Sequence, residues 1–325
     1  MRKRFPKAFA LILALIVIVC GCSAPEPAPA PAPGVSAVPA APSVSESSSR
    51  PEEPKDPRLM KLDVIDVGQG SGALLQVFAD GETRNIMIDA GERTAQKAVS
   101  SHLKKADVDK LDLVIITHPH TDHFGGILQA LKDYEVGEVW LPFVSEELTP
   151  TNSTYIDFLN GLEKNGCRVT IKTEPEIICI SDAVTLELLD AFLDKPEELN
   201  NTSLCVRIDA GEASFLITGD AEVQQEDKMR EGKENIDVDI FVAGHHGSNS
   251  SNKQYFLNTV TPMASVISVG KDNDYSLPSA KAVDRLAKFG NLYRTDLNGT
   301  VTFTTDGETI TVLANNINDT IDAKG

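Results

Sequence analysis

The sequence predicts an α/β fold in which two sheets face each other and helices cover their outer faces. Apolar, strand-like runs alternate with helical segments in two successive sets. Side chains able to bind metal stand at the ends of those runs. The body of the chain, about 265 residues, suits one large domain, because no second linker or composition shift divides it. No internal repeat has a clear period.

Met1-Arg2-Lys3-Arg4 is followed by an apolar stretch from Ala8 to Val19 and then by Cys20-Gly21-Cys22-Ser23. A basic start, a short apolar core and small residues before a cysteine describe a secretory signal segment over residues 1–22, because the run is short for a bilayer span. Gly21-Cys22 resembles a bacterial lipobox. Cys22 is then the first mature residue, and its acyl chains form a lipid anchor on the outer face of a membrane. An uncleaved anchor is the alternative, and either one leaves the rest of the chain extracellular. Cys20 is the weaker cleavage cysteine because bulky Val19 precedes it.

Residues 23–57 are Pro, Ala and Ser with scattered acids. With almost no large apolar side chain they cannot offset their ordering entropy by burial, so a semi-rigid, disordered spacer is expected before the folded body at 58–325. The formal net charge of −18 produces a field that repels polyanions at long range. That argues against nucleic acid as a substrate, and bound cations offset it only locally.

In the first half, Leu62 to Val67, Ala73 to Phe78 and Asn85 to Ile88 read as strands punctuated by glycine, with a helix from Thr94 to Lys105 after them. Asp66 and Asp89 end strands just before glycines. Turn chemistry is the plain role for both, and for Asp89 the alternative is to hold a metal-bound histidine from behind.

Leu111 to Ile116 reads as a buried strand that feeds Thr117-His118-Pro119-His120-Thr121-Asp122-His123-Phe124-Gly125-Gly126, a short loop opening into a helix. His118, His120, Asp122 and His123 place four ligand-type side chains within six residues. His118 and His120 can face one way and Asp122 and His123 the other, which leaves room for two metal ions side by side. The alternative is a polar turn that happens to hold histidines, but buried imidazoles with no charge or metal to satisfy them are costly.

This run resembles the metal-binding signature of the metallo-β-lactamase superfamily. Asp66-Val67-Gly68-Gln69-Gly70-Ser71, Ile88-Asp89-Ala90-Gly91, Leu216-Ile217-Thr218-Gly219-Asp220, Gly244-His245-His246-Gly247-Ser248 and Arg294-Thr295-Asp296-Leu297-Asn298-Gly299-Thr300 resemble, in order, blocks of the hydrolase domain of ComEC-type competence proteins. The resemblance implies a four-layered αββα sandwich and two divalent metal ions, zinc or manganese. It places His118 and His120 on the first ion, Asp122, His123 and His245 on the second, and Asp220 between them. Asp220 ends a buried strand, so capping the next helix is its other role, but two close cations need an anionic bridge.

The sequence also departs from the superfamily. No histidine occurs between His123 and His245, so the usual third imidazole of the first site is absent and Asn200-Asn201-Thr202-Ser203 stands in its place. Fewer nitrogen ligands shift preference toward manganese, with zinc still open. Asn201, Ser203 and Ser248 are candidate substrate contacts. His246 either touches the substrate or leaving group, as a catalytic partner of Asp122, or is a packed histidine satisfied by backbone. ComEC-type domains usually carry a histidine before the proline where this chain has Leu277-Pro278, which removes a polar group from the pocket rim.

Several residues read as structural. His102 is plain surface, Trp140 and Tyr155 are core or rim aromatics, and Arg294 pairs with a nearby carboxylate or else binds an anion. Cys167 and Cys179 flank what reads as a hairpin, Val169 to Ile171 and Ile177 to Ile180, and either pair or remain small buried thiols. With Cys205 the count is odd.

The resemblance thus implies a binuclear metallohydrolase of a phosphodiester, a nuclease acting on DNA, with a metal-bound hydroxide as nucleophile oriented by Asp122. Two other readings stay open. One is an extracellular hydrolase of a lactone, β-lactam or other small ester or amide. The other is a surface-tethered binding protein with a residual metal site, motivated by the missing imidazole and by Leu277. No obligate protein partner is inferred.

Overall fold

The computed structural model describes residues 58–325. The signal segment, Cys22 and the spacer at 23–57 lie outside the described residues. In chain order the first set is β1 (Met60–Val64), β2 (Gly72–Ala79), β3 (Glu82–Ala90), α1 (Gln96–Lys105), β4 (Lys110–Ile115), α2 (Thr121–Phe124), α3 (Ile127–Asp133), β5 (Glu135–Pro142), α4 (Ser153–Asn165) and β6 (Arg168–Lys172). The second is β7 (Glu176–Cys179), β8 (Val184–Leu188), β9 (Val206–Ala210), β10 (Ala213–Ile217), α5 (Val223–Gly232), β11 (Ile240–Val242), α6 (Gln254–Val260), β12 (Ala264–Ile267), α7 (Ala280–Leu286), β13 (Asn291–Arg294) and α8 (Thr295–Asn298). β14 (Val301–Thr305), β15 (Thr309–Ala314) and β16 (Ile317–Asp322) then return to the first sheet.

One sheet has nine strands in the order β16-β15-β14-β1-β2-β3-β4-β5-β6, and the other has seven, β13-β12-β11-β10-β9-β8-β7. β3 to β6 are mutually parallel, as are β10 to β13. Their carboxyl ends therefore open on one edge of each sheet, where open α/β sheets bind ligands.

Alternation along the strands builds three apolar layers. On β10, Ala213, Phe215 and Ile217 point into the space between the sheets, where they meet Leu62, Ile88, Phe303 and Val312. Leu216 points the other way, toward Met229 of α5 and Phe256 and Leu257 of α6. On the far side Leu74, Met87 and Val114 meet Val99 of α1, Ile127 of α3 and Phe158 of α4. The expected αββα layering is thus present. The rings of Phe215 and Phe303 meet edge-on, 6.3 Å between centroids, tying the sheets together; each buried phenylalanine contributes about 1.5–3 kcal/mol by leaving water.

Three expectations change. Val169 to Ile171 and Ile177 to Ile180 do not form a hairpin: β6 closes one edge of the first sheet and β7 one edge of the second. Accordingly Cys167 and Cys179 are both free, and Cys179 is exposed rather than buried. His102 is not plain surface. Its Nε2 lies 2.9 Å from Oδ2 of buried Asp63, so α1 seals over a charged strand residue. β16 was not anticipated, because Ile317-Asn318-Asp319-Thr320-Ile321-Asp322 has too few apolar residues to stand out, as suits a charged outer strand. None of the described helices is long and apolar enough to cross a membrane.

Candidate metal centre

The motif loop leaves β4 and is fastened from below by Asp89, whose φ of 56° turns its carboxylate under the loop. Oδ1 accepts the Thr117 amide at 2.8 Å, Oδ2 accepts the Thr117 hydroxyl at 2.7 Å, and Oδ2 also lies 2.7 Å from Nδ1 of His123. The two glycines that follow are required by contact. A Cβ on Gly126 would stand 1.8 Å from the Ala90 carbonyl oxygen, and one on Gly125 would stand 2.3 Å from the Arg93 nitrogen.

The ligand-type atoms converge. Nε2 of His118 and Nδ1 of His120 are 2.9 Å apart. Asp220 faces both halves of the cluster: Oδ1 is 3.1 Å from Nε2 of His123, and Oδ2 is 3.8 Å from Nε2 of His118 and 3.5 Å from Nε2 of His246. Nε2 of His246 is also 3.2 Å from Oδ2 of Asp122. Two sets, His118-His123-Asp220 and Asp122-His123-His246, each bring their ligand atoms within 4.8 Å of one another.

The same atoms test whether metal fits. His123 Nε2, His246 Nε2 and Asp220 Oδ1 are buried without a hydrogen-bond partner, because their close approaches are not aligned as hydrogen bonds. Each such orphan costs about 1–3 kcal/mol, so several aimed at one point make a donor set for cations. The opposite ring nitrogens are engaged, His123 Nδ1 on Asp89 and His246 Nδ1 on the Ser268 carbonyl at 3.0 Å, which leaves the Nε2 lone pairs facing inward.

The electrostatics agree. Burial, with His123 next, drives His118 well below the ordinary histidine range, and burial lowers His120, so both are neutral as ligands must be. Burial alone would raise Asp220, but His123 and His246 outweigh it and hold the carboxyl well below its usual range. Burial opposes charge on His246, yet Asp220 and Asp122 push it up to about 10. Burial opposes charge on His123 too, yet Asp220 and Asp89 hold it well above the ordinary histidine range, so the acidic cluster keeps protons on these two imidazoles that a bound cation would displace.

The adjacent histidines lie differently from the expected arrangement, His246 grouping with Asp122 and His123. His245 (φ 50°), His246 (φ 51°) and Gly247 (φ 74°) form three successive left-handed residues. That turn buries His246 beside Asp122 and His123, where His245 was expected. His245 instead keeps 23% of its side chain exposed, with Nδ1 3.1 Å from Oε1 of Glu222 and Nε2 3.7 Å from Oδ2 of Asp220.

Asn201 and Ser203, expected at the substrate, are buried and bond the chain itself. Asn201 Oδ1 accepts the Glu222 amide at 3.1 Å, and Ser203 Oγ donates to the Asn200 carbonyl at 2.7 Å and accepts the Asp220 amide at 3.1 Å. Ser248 bonds Ser250 at 2.8 Å, which in turn donates to Glu222 at 2.8 Å. Arg294 pairs with both oxygens of Asp296 at 3.0 and 2.6 Å, and Asp66 serves its turn by accepting the Gly68 amide at 3.2 Å. Leu277 packs into the apolar layer under α6 and α7. Tyr275 of the same segment is exposed, and burial followed by the charges of Asp122 and Glu92 raises its hydroxyl.

Sequence reasoning passed over Asn200 and Glu222. Asn200 is buried beside His120 with an unpaired Oδ1, where the first ligand set lacks an imidazole. Its signal was its place in the polar block. Glu222 shows only as an acid two residues past Asp220.

Comparison with known proteins agrees with this geometry. A family model described as the metallo-beta-lactamase superfamily matches residues 65–271. The chain is 28% identical over 262 residues to ComE operon protein 3 of Bacillus subtilis (strain 168), covering 75% of this chain and 33% of that protein. It is 32% identical over 244 residues to competence protein ComA of Neisseria gonorrhoeae, covering 74% of this chain and 31% of that one. The chain thus spans about a third of these relatives. CmlA, a diiron β-hydroxylase from Streptomyces venezuelae, superposes with a TM-score of 0.50 at 16% identity, over 77% of this chain and 54% of CmlA, a likeness of fold alone. Motif, layering and converging ligands together make this chain a member of the metallo-β-lactamase superfamily.

Proposed function

We propose that the protein is a binuclear metal-dependent hydrolase whose substrate is a phosphodiester. The observation that carries the reading is Asp220, a buried carboxylate within 3.8 Å of Nε2 of His118, His123 and His246, with the inward nitrogens of His123 and His246 lacking hydrogen-bond partners. His118, His120 and Asp220, with the Asn200 amide oxygen at hand, would hold one divalent ion, and Asp122, His123, His246 and Asp220 the second; zinc and manganese both suit such a donor set. When bound, such ions supply an acidified water and charge neutralisation for the reacting centre.

The chain's own groups do the rest. Asp122 orients the attacking water. Glu222 holds the Nδ1 proton of His245, so that Nε2 faces the cleft and can deliver a proton to the departing oxygen. Ser250 fixes Glu222 from the other side.

The name of one relative, competence protein ComA of Neisseria gonorrhoeae, supports a nucleic-acid phosphodiester. Lipid attachment at Cys22 and a place on the outer face of the membrane belong to the same proposal on sequence grounds alone. The test is hydrolysis of single-stranded DNA, bis-p-nitrophenyl phosphate and nitrocefin, with zinc and then manganese. Turnover of the first two supports the reading, and turnover of nitrocefin alone overturns it. A small ester or amide is the second reading: Glu92, its carboxyl raised by burial and then by the charge of Asp122, adds to an acidic mouth that repels a polyanion.

A further inference from the structure

The turn that aims the two histidines is held from behind by residues that contact no candidate ligand side chain. Glu226 of α5 is 2% exposed, and its two oxygens accept the backbone amides of Asn252 and Lys253 at 2.5 and 3.2 Å. Asn252 is itself buried and left-handed (φ 58°). It folds its amide back onto both polar backbone groups of Gly244, accepting from N at 2.9 Å and donating to O at 2.8 Å. Arg285 of α7 closes the loop from outside, donating to the Asn252 carbonyl at 2.6 Å, the Ser251 carbonyl at 3.0 Å and Asn249 Oδ1 at 3.0 Å. The strand end at Gly244 and the loop end at Asn252 are therefore locked together. Between them lie His245 and His246, two left-handed non-glycine residues, a strained conformation that persists only where the surroundings enforce it.

We propose that Glu226 is a positioning residue for cation binding: through Asn252 it enforces the strained turn that points His246 Nε2 at Asp122 and His123, and so sets the affinity of the second ion. The inference rests on His246 being a ligand. His118 and His120, on a different sheet, are untouched by the clamp.

The test is calorimetric titration of the full chain with Zn2+, comparing wild type, Glu226→Gln, which turns a donor toward two amide donors, and Asn252→Gly, which keeps the positive φ and removes the amide. Phe303→Leu, remote from the site, controls for lost stability. The expected result is two equivalents in wild type and control, with the second equivalent weakened about 10–100-fold in both clamp variants and the first retained. Co2+ titration should show the change in the visible spectrum at the second equivalent only. Folded variants that bind both equivalents as wild type does, whatever their melting temperature, overturn the proposal. A wild-type chain that takes up one ion refutes the underlying ligand reading instead. If neither variant folds, hydrogen exchange of wild type decides. By reciprocity the second equivalent must slow exchange at the Asn252 and Lys253 amides, and unchanged exchange there overturns the clamp.

Discussion

Oδ2 of Asp89 lies 2.7 Å from Nδ1 of His123, with both side chains buried. The same carboxylate holds Thr117, so one residue on β3 fixes the start of the metal motif and orients its last imidazole. Asp89→Asn should weaken metal affinity by about 10–100-fold while the ligands remain in place. Competition against a chelator measures it, and unchanged affinity would remove the orienting role.

The two adjacent histidines should separate cleanly. His246→Ala should lose one equivalent of metal, read by elemental analysis after dialysis. His245→Ala should keep its metal and lose about 10²–10⁴-fold in kcat, the contribution of a positioned proton donor. The loss should shrink for substrates with leaving groups that need no proton. The reverse pattern of metal content would restore the order expected from sequence.

Gly70 has a φ of 118°, and a Cβ there would stand 2.2 Å from the Asp122 carbonyl oxygen. Gly70→Ala must therefore push Asp122 or distort the loop that braces it, where the Ser71 amide donates to that same carbonyl at 3.1 Å. The expected outcome is a stability loss of about 1–3 kcal/mol by denaturant titration, together with weakened metal binding. Gly68 is also left-handed (φ 74°) but has open space around its Cβ position, so Gly68→Ala should cost some stability through backbone strain while leaving metal binding intact.

Asp63 gives the fold an acid limit remote from the cleft. Burial would raise its pKa, but hydrogen bonds from His102 and Thr302 and the charge of Lys61 outweigh burial and lower it below 3.8. A depressed carboxylate contributes stability that is present above its unfolded pKa and is lost as pH falls through the folded one. Melting temperature should thus drop as pH falls below 3.8, and Asp63→Asn should flatten that limb while lowering stability at neutral pH. Parallel acid limbs in both proteins would show that Asp63 does not contribute.

Much of this was legible because it is written locally. Alternating apolar runs give the strands, and a His-x-His-x-Asp-His run after one of them gives the metal motif. Asp220 was legible as a carboxylate closing a buried strand. Which of His245 and His246 enters the cluster was not, because spacing treats neighbours alike while three successive left-handed residues decide the matter. The segment from Val169 to Ile180 misled for a related reason: a hairpin and a crossover from one sheet to another leave the same alternation. His102 reads as surface until a buried partner on β1 comes into view. Asn200 gains its importance only from His120, brought to it from the other sheet, and Glu222 only from His245 and Ser250 on a neighbouring loop.

β1 runs parallel to β3 and β4, and Val64 leads directly to the Gly70 loop beside Asp122. Met60 therefore begins about 13 Å away along the strand, on the opposite rim of the sandwich. A support, fusion partner or affinity handle joined ahead of Met60 attaches at the floor of the molecule. The cluster lies at the other end of that strand direction, so such an attachment joins the body away from the metal-binding loops.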